Sequence, residues 1–165
     1  MQPRIENPAL AIPGALQAIQ RLGAIVTHSD LPETTLYLIQ LRASQINGCS
    51  VCCDMHSREL KAAGEPDARI FTVAAWRETP YFTDAQRAAL ALTEAVTRIA
   101  DRPESVSDEI WEEAARHYNE SQLAALVLAI ASINTWNRLN AATRQITGDG
   151  VDQWLPEPAD AAHAA

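Results

Sequence analysis

The sequence predicts an all-α protein, a compact bundle of about six to seven helices. Three observations carry that expectation. The composition is 47% apolar but only 5% aromatic, and alanine, the strongest helix former, is abundant. Apolar residues recur at helical spacing along most of the chain, and no stretch alternates as a half-buried strand would. Prolines and glycines stand between these stretches, where they start and stop helices.

Pro13 opens the first helical pattern, with Leu16, Ile19, Gln20 and Leu22 leading to Gly23 and an apolar Ala24-Ile25-Val26. Ser29-Asp30-Leu31-Pro32 reads as the cap of a second helix with proline at its first position. That helix points Leu36, Ile39, Leu41 and Ile46 inward and stops at Asn47-Gly48. A third helix follows at once and ends at Ala62-Ala63-Gly64. Pro66 begins a shorter one carrying Ile70, Phe71, Val73 and Trp76. Thr83-Asp84-Ala85-Gln86 has the form of a capping box, and its helix continues through Leu90, Leu92, Ala95, Val96 and Ile99 to about Ala100. After a loop over 101–106, Ser107 caps a short amphipathic helix with Ile110, Trp111 and Ala114. The longest helix starts near Ser121, carries Leu123, Leu126, Val127, Ile130, Ile133 and Trp136, and ends at Thr147-Gly148.

At 165 residues the chain is long enough for one domain, expected over 1–148. Residues 149–165 read as a loosely ordered tail, with Trp154-Leu155 able to dock on a neighbour and His163 inert. A net charge of −8 and a pI near 4.9 argue against nucleic acid or an anionic membrane surface as partners. The longest uncharged apolar run, Leu123–Ile133, is too short to span a bilayer. The first residues hold no apolar leader segment, and an odd, clustered set of three cysteines does not read as an extracellular disulfide framework. A reducing cytoplasm, where disulfides are transient and catalytic, is the expected setting.

Those cysteines all fall in Cys49-Ser50-Val51-Cys52-Cys53-Asp54-Met55-His56. On a helix, with about 100° per residue, Cys49, Cys52, Cys53 and His56 share one face, with Cys52 and His56 one turn apart. Two thiols three residues apart can close a disulfide when the first lies in the non-helical cap. A free thiol titrates near pH ~8.5, and a helix N-terminus or a neighbouring imidazolium favours the thiolate. A reversible dithiol with a base beside it is the chemistry this spacing suits. A zinc-binding module using Cys49, Cys52, Cys53 or His56 is an alternative, although no second ligand pair follows at regular spacing.

Other polar residues stand out less. His28 falls at a helix end, where a histidine usually caps. Asn134, Asn137 and Arg138 share a face of the last helix, either as a solvated stripe or as groups that satisfy a buried loop. His117-Tyr118 reads as a cap or interface pair.

Leu41-Arg42-Ala43-Ser44-Gln45-Ile46-Asn47-Gly48-Cys49, followed by Cys52, Asp54, Met55 and His56, resembles the core of the alkylhydroperoxidase D-like branch of the carboxymuconolactone decarboxylase family. The likeness is strongest from about Leu36 to Leu60. It extends to Ile133-Asn134-Thr135-Trp136-Asn137-Arg138, which is similar to the family's closing segment. The resemblance implies an all-helical homotrimer or homohexamer that reduces hydroperoxides with no metal, flavin or haem. It implies Cys52 as the peroxidatic thiol, Cys49 as the resolving thiol that meets the reductant, and His56 as the proton-relay base. The implied partners are a hydroperoxide substrate and an external dithiol, lipoyl or thioredoxin-like.

The chain departs from the family's pattern at three places. Tyr37 stands where the family usually carries a relay glutamate, Val51 where the branch has a second histidine, and Cys53 where relatives tend to have an apolar residue. Glu33, one turn before Tyr37, is expected to supply the missing charge, making Tyr37 and Glu33 a candidate proton relay. A redox-sensing or partner-binding helical oligomer with weak or no peroxidase activity is the alternative these departures suggest.

Overall fold

The computed structural model describes residues 1–101 and 103–148; the expected tail, Trp154-Leu155 and His163 lie outside them. The helix-stop signals become eight α-helices among the described residues: α1 (Pro8–Ala11), α2 (Ala15–Thr27), α3 (Glu33–Asn47), α4 (Ser50–Ala62), α5 (Asp67–Thr72), α6 (Asp84–Thr97), α7 (Asp108–His117) and α8 (Glu120–Thr143). A 3-10 segment, Val73–Glu78, continues α5. No strand forms among the described residues. Seven of the helices answer to the patterns read above. The eighth, α1, is a single turn with Pro8 at its first position and the Asn7 side chain accepting from Ala9 N (3.0 Å).

Several boundaries differ from the sequence expectation. Pro32 is extended (φ −58°, ψ 130°), so α3 begins at Glu33 and Pro32 is its N-cap. The Pro66 pattern tightens into 3-10 geometry at Val73. Ile70, Val73 and Trp76 are buried, whereas Phe71 turns to solvent. The largest difference is the end of α8, which stops at Thr143 and not at Thr147-Gly148. Arg144 takes a left-handed conformation (φ 56°), and Gln145 N donates to Asn140 O (2.9 Å). The N-terminal segment supplies further donors to the last turn: Arg4 N reaches Thr143 O (2.8 Å), and its guanidinium reaches Ala142 O (3.0 Å). Terminal carbonyls of a helix need such partners. A contact from the opposite end of the chain satisfies them here.

α3 packs against α4, α6 and α8. One apolar cluster joins α2, α3, α6, α7 and α8 through Val26, Leu36, Ile39, Leu92, Leu126 and Ile130. A second, on the other side of α3, gathers Leu38, Leu41, Leu60, Val73, Trp76, Phe82 and Leu90. Between α3 and α6 sits a buried carboxylate, Glu94. It accepts from Arg42 Nε (2.7 Å), Trp76 Nε1 (3.0 Å) and an Arg77 guanidinium nitrogen (2.7 Å). Burial pushes the Glu94 carboxyl up, but the bonds from Arg77, Trp76 and Arg42 outweigh it and hold the group below the usual carboxylate range. His28 caps α2, its Nδ1 2.7 Å from Ala24 O; Tyr118 caps α7 through its backbone N–H to Ala114 O, while its hydroxyl reaches across to donate to Ala85 O of α6 (2.8 Å). No helix among the described residues is long and apolar enough to cross a membrane.

Candidate active site

The site begins where α3 ends. Gly48 adopts φ 68°, ψ 29°, a left-handed conformation that costs a residue with a Cβ about 1 kcal/mol or more. That turn lets Cys49 N donate to Ser44 O (3.0 Å) and places Cys49, extended at φ −82°, as the N-cap of α4. An N-cap side chain accepts a bond from the first turn of its helix. Here the acceptor is sulfur, with Cys52 N 3.3 Å from Cys49 Sγ. Cys49 and Cys52 are joined as a disulfide, their Cα atoms 5.4 Å apart. The pair is enclosed, at 2% and 1% exposure, by Ala43 and Ile133 with Val51 and Trp136 at the edge.

A polar seam between α3 and α8 holds this turn in place. Asn47 Nδ2 donates to both Asn134 Oδ1 (3.0 Å) and Asn137 Oδ1 (2.9 Å). Asn137 Nδ2 donates to Ser44 Oγ (3.0 Å), which in turn donates to Gln40 O (2.7 Å). Arg138 folds back onto Asn134 Oδ1 (2.7 Å). Asn134 and Asn137 are therefore buried partners of the last turn of α3, just before Cys49, and not a solvated stripe. One turn further along, Asn140 Nδ2 lies 3.3 Å from Cys52 Sγ and 3.7 Å from Cys49 Sγ.

His56 is buried at 4% exposure. Its Nδ1 is 2.6 Å from Glu59 Oε2, and its Nε2 is buried without a hydrogen-bond partner. The Tyr37 hydroxyl donates to Glu33 Oε1 (2.7 Å), so the two residues of the candidate relay are bonded to each other. Burial, that bond and the charges of Glu59 and Glu33 together raise the Tyr37 phenol well above its ordinary range. Cys53 packs against the apolar cluster that contains Leu38, Leu41 and Leu60 and stays a free thiol outside the disulfide, and burial pushes it up. Among the described residues no group of three or more His, Cys, Asp or Glu is arranged to hold a metal ion, so the zinc arrangement considered from sequence does not form there.

Two site residues escaped the sequence reading. Glu59 follows His56 by three positions, a spacing that was open to inspection. Asn140 continues the three-residue period of Asn134 and Asn137, but nothing local says that it meets sulfur.

A profile of the carboxymuconolactone decarboxylase family matches residues 13–95. The chain belongs to that family. Within the carboxymuconolactone decarboxylase family it stands in the alkylhydroperoxidase D-like branch. An Agrobacterium tumefaciens protein of unknown function, described as a candidate AhpD antioxidant defence protein, is 36% identical. It superposes with a TM-score of 0.84 over 90% of this chain and 99% of that one. The uncharacterized protein YdfG of Bacillus subtilis strain 168 is 36% identical over 130 residues, 79% of this chain and 87% of its own length. A peroxidase-related protein from Ralstonia eutropha JMP134 with an alkylhydroperoxidase AhpD core shares the fold, with a TM-score of 0.75 at 16% identity over 90% of this chain and 78% of that one.

Proposed function

We propose that the chain is a thiol-dependent hydroperoxide reductase that cycles through the Cys49–Cys52 disulfide. The observation that carries this reading is the pairing of Cys49, in the cap of α4, with Cys52 in its first turn, one turn before a buried histidine backed by Glu59. In the reduced protein the Cys52 thiolate attacks the distal oxygen of ROOH. The O–O bond breaks, Cys52 becomes a sulfenic acid, and the departing alkoxide takes a proton from His56 to leave as ROH. The Cys49 thiolate then attacks the Cys52 sulfur and expels hydroxide, which leaves as water once protonated. An external dithiol, of lipoyl or thioredoxin-like type, returns two electrons and two protons by exchange at Cys49. Because both sulfurs are enclosed, exchange requires the edge at Val51 and Trp136 to open.

Glu59 fixes the imidazole through Nδ1 and leaves Nε2 for proton transfer, as the carboxylate of a triad does. Tyr37 and Glu33 form the outer end of the same relay. A homotrimer or homohexamer is part of the proposal, as the branch implies. Exposed Ile25, Phe71, Ile99, Trp111 and Leu128 are available for such contacts, and a monomeric mass in light scattering at micromolar concentration would overturn it.

The enclosure of the disulfide also favours a second reading, a redox-sensing or partner-binding oligomer with little turnover. Hydroperoxide consumption with excess dithiol separates the two. The peroxidase reading expects multiple turnovers in the wild type, none in Cys52→Ser, and one dimedone-trapped sulfenate per chain in Cys49→Ser. Stoichiometric oxidation without turnover supports the sensor, and sulfenate on Cys49 in Cys52→Ser at the wild-type rate reverses the thiol roles.

A further inference from the structure

We infer that Asn140 is a catalytic residue of this dithiol: its side-chain amide is locked with the NH2 end toward Cys52, where it stabilises the thiolate. The inference rests on the dithiol reading but not on the identity of the oxidant.

The orientation of the amide follows from a chain of bonds that begins at the other end of the molecule. Asn7 caps α1, and its Oδ1 accepts from Ala9 N at 3.0 Å. A backbone N–H can only donate, so the Asn7 oxygen is committed there and its nitrogen must face away. That nitrogen lies 2.8 Å from Asn140 Oδ1, which fixes the Asn140 oxygen as the acceptor. The Asn140 nitrogen then faces the sulfurs, 3.3 Å from Cys52 and 3.7 Å from Cys49. Neither amide can turn over without setting two donors against each other. The Arg4 bonds to Ala142 O and Thr143 O, and Gln145 Nε2 to Ile5 O (3.0 Å), hold the N-terminal segment against the end of α8. The donor is therefore held whether the sulfurs are bonded or reduced.

The sulfurs receive different support. Cys49 Sγ already accepts from Cys52 N, as a cap does. Among the described residues Cys52 Sγ has the Asn140 amide as its recorded donor. The charged and titratable groups on the surrounding elements are bonded elsewhere: Tyr37 with Glu33 on α3, Arg138 with Asn134 on α8, Asp54 with Arg58 and Thr147, and Arg4 with Ala142 O. The one exception is His56, which is held by Glu59 through Nδ1 and keeps Nε2 for proton transfer, with no hydrogen bond to Cys52. A buried thiolate without a donor is strongly disfavoured. A neutral amide supplies that donor without burying a second charge, and bonds to an ionised acceptor are worth about twice those to a neutral one.

The test is the pH dependence of iodoacetamide alkylation of the fully reduced protein, with Cys49, Cys52 and Cys53 resolved by fragment ions of their shared peptide. In Asn140→Ala the pH of half-maximal reactivity at Cys52 should rise by about one to two units relative to wild type. Reactivity near pH 7 then falls roughly tenfold or more and recovers at alkaline pH, while Cys53 is unchanged. A merely structural loss would lower reactivity at all pH values or expose all three thiols alike. A Cys52 profile superimposable on wild type in a folded Asn140→Ala protein overturns the inference. Asn140→Asp keeps the size and the bond from Asn7 but turns an acceptor toward the sulfur. If the alanine variant does not fold, a rise larger than one unit in Asn140→Asp supports the inference and no rise overturns it. A protein that shows the shift yet consumes no hydroperoxide keeps the inference and loses the peroxidase.

Discussion

Removal of the Glu59 carboxylate is the perturbation that most directly tests how His56 works. The pair is short, 2.6 Å, and both side chains are nearly buried, at 5% for His56 and 12% for Glu59. Nε2 of His56 has no hydrogen-bond partner, so Glu59 is the polar group that fixes the ring's rotation. In Glu59→Ala the ring loses a hydrogen bond to a charged group, worth about 1.5–3 kcal/mol. For a chain of this length that lowers the melting temperature by roughly 3–12 °C at about 2–4 °C per kcal/mol. The effect on turnover is larger. A positioned acid–base group contributes about 10²–10⁴-fold, and a ring free to rotate forfeits much of that, so turnover falls on the order of 100-fold. Glu59→Gln keeps an acceptor for the ring but removes the charge, and a fall of roughly tenfold is expected. The assay is steady-state hydroperoxide consumption with excess dithiol, paired with thermal melts of each variant. His56→Ala should abolish the same contribution, so His56→Ala with Glu59→Ala should be no slower than His56→Ala alone. A folded Glu59→Ala protein with wild-type turnover, or two losses that simply multiply, would refute the orienting role.

Three further outcomes are expected. Tyr37→Phe, which breaks the bond to Glu33, should slow turnover by about threefold, far less than Glu59→Ala; an equal loss would put the phenol at the centre of the relay. Asn137→Ala deletes a fully buried amide that accepts from Asn47 and donates to Ser44. It should cost about 2–4 kcal/mol in chemical denaturation, and a change below about 0.5 kcal/mol would show that the seam contributes little. Glu94→Gln should destabilise by about 3 kcal/mol at pH 7, because it leaves Arg42 without its buried counter-charge. The Glu94 carboxyl is depressed in the fold, so the unfolded chain binds the extra proton as pH drops. Its contribution is therefore complete above the unfolded value of about 4.3 and disappears as pH falls through the folded one. Denaturation of wild type and Glu94→Gln at pH 7 and again near pH ~3 should show the gap closing at the acid end; a constant gap contradicts the linkage.

What the sequence determined by itself is local. A glycine placed where the chain must take a positive φ, a cysteine immediately after it, and a second cysteine and a histidine at helical spacing are enough to specify a cap, a helix and a shared face. Only neighbours within eight residues are involved. The Thr83–Gln86 capping box and the stop at Gly48 were legible for the same reason. The tertiary structure decided what lies across from that face. Asn140 reaches Cys52 across a separation of 88 residues, and Asn7 orients Asn140 across 133. The end of α8 depends on Arg4, which satisfies its last carbonyls from the far end of the chain. Tyr37 shares a helix turn with Glu33, and that spacing was readable, yet its relation to Glu59 depends on how α3 packs against α4. Helical periodicity tells which residues leave a helix together. The identity of the groups they meet depends on the packing of helices distant in sequence, and there the direction of a single amide sets the chemistry available to a buried sulfur.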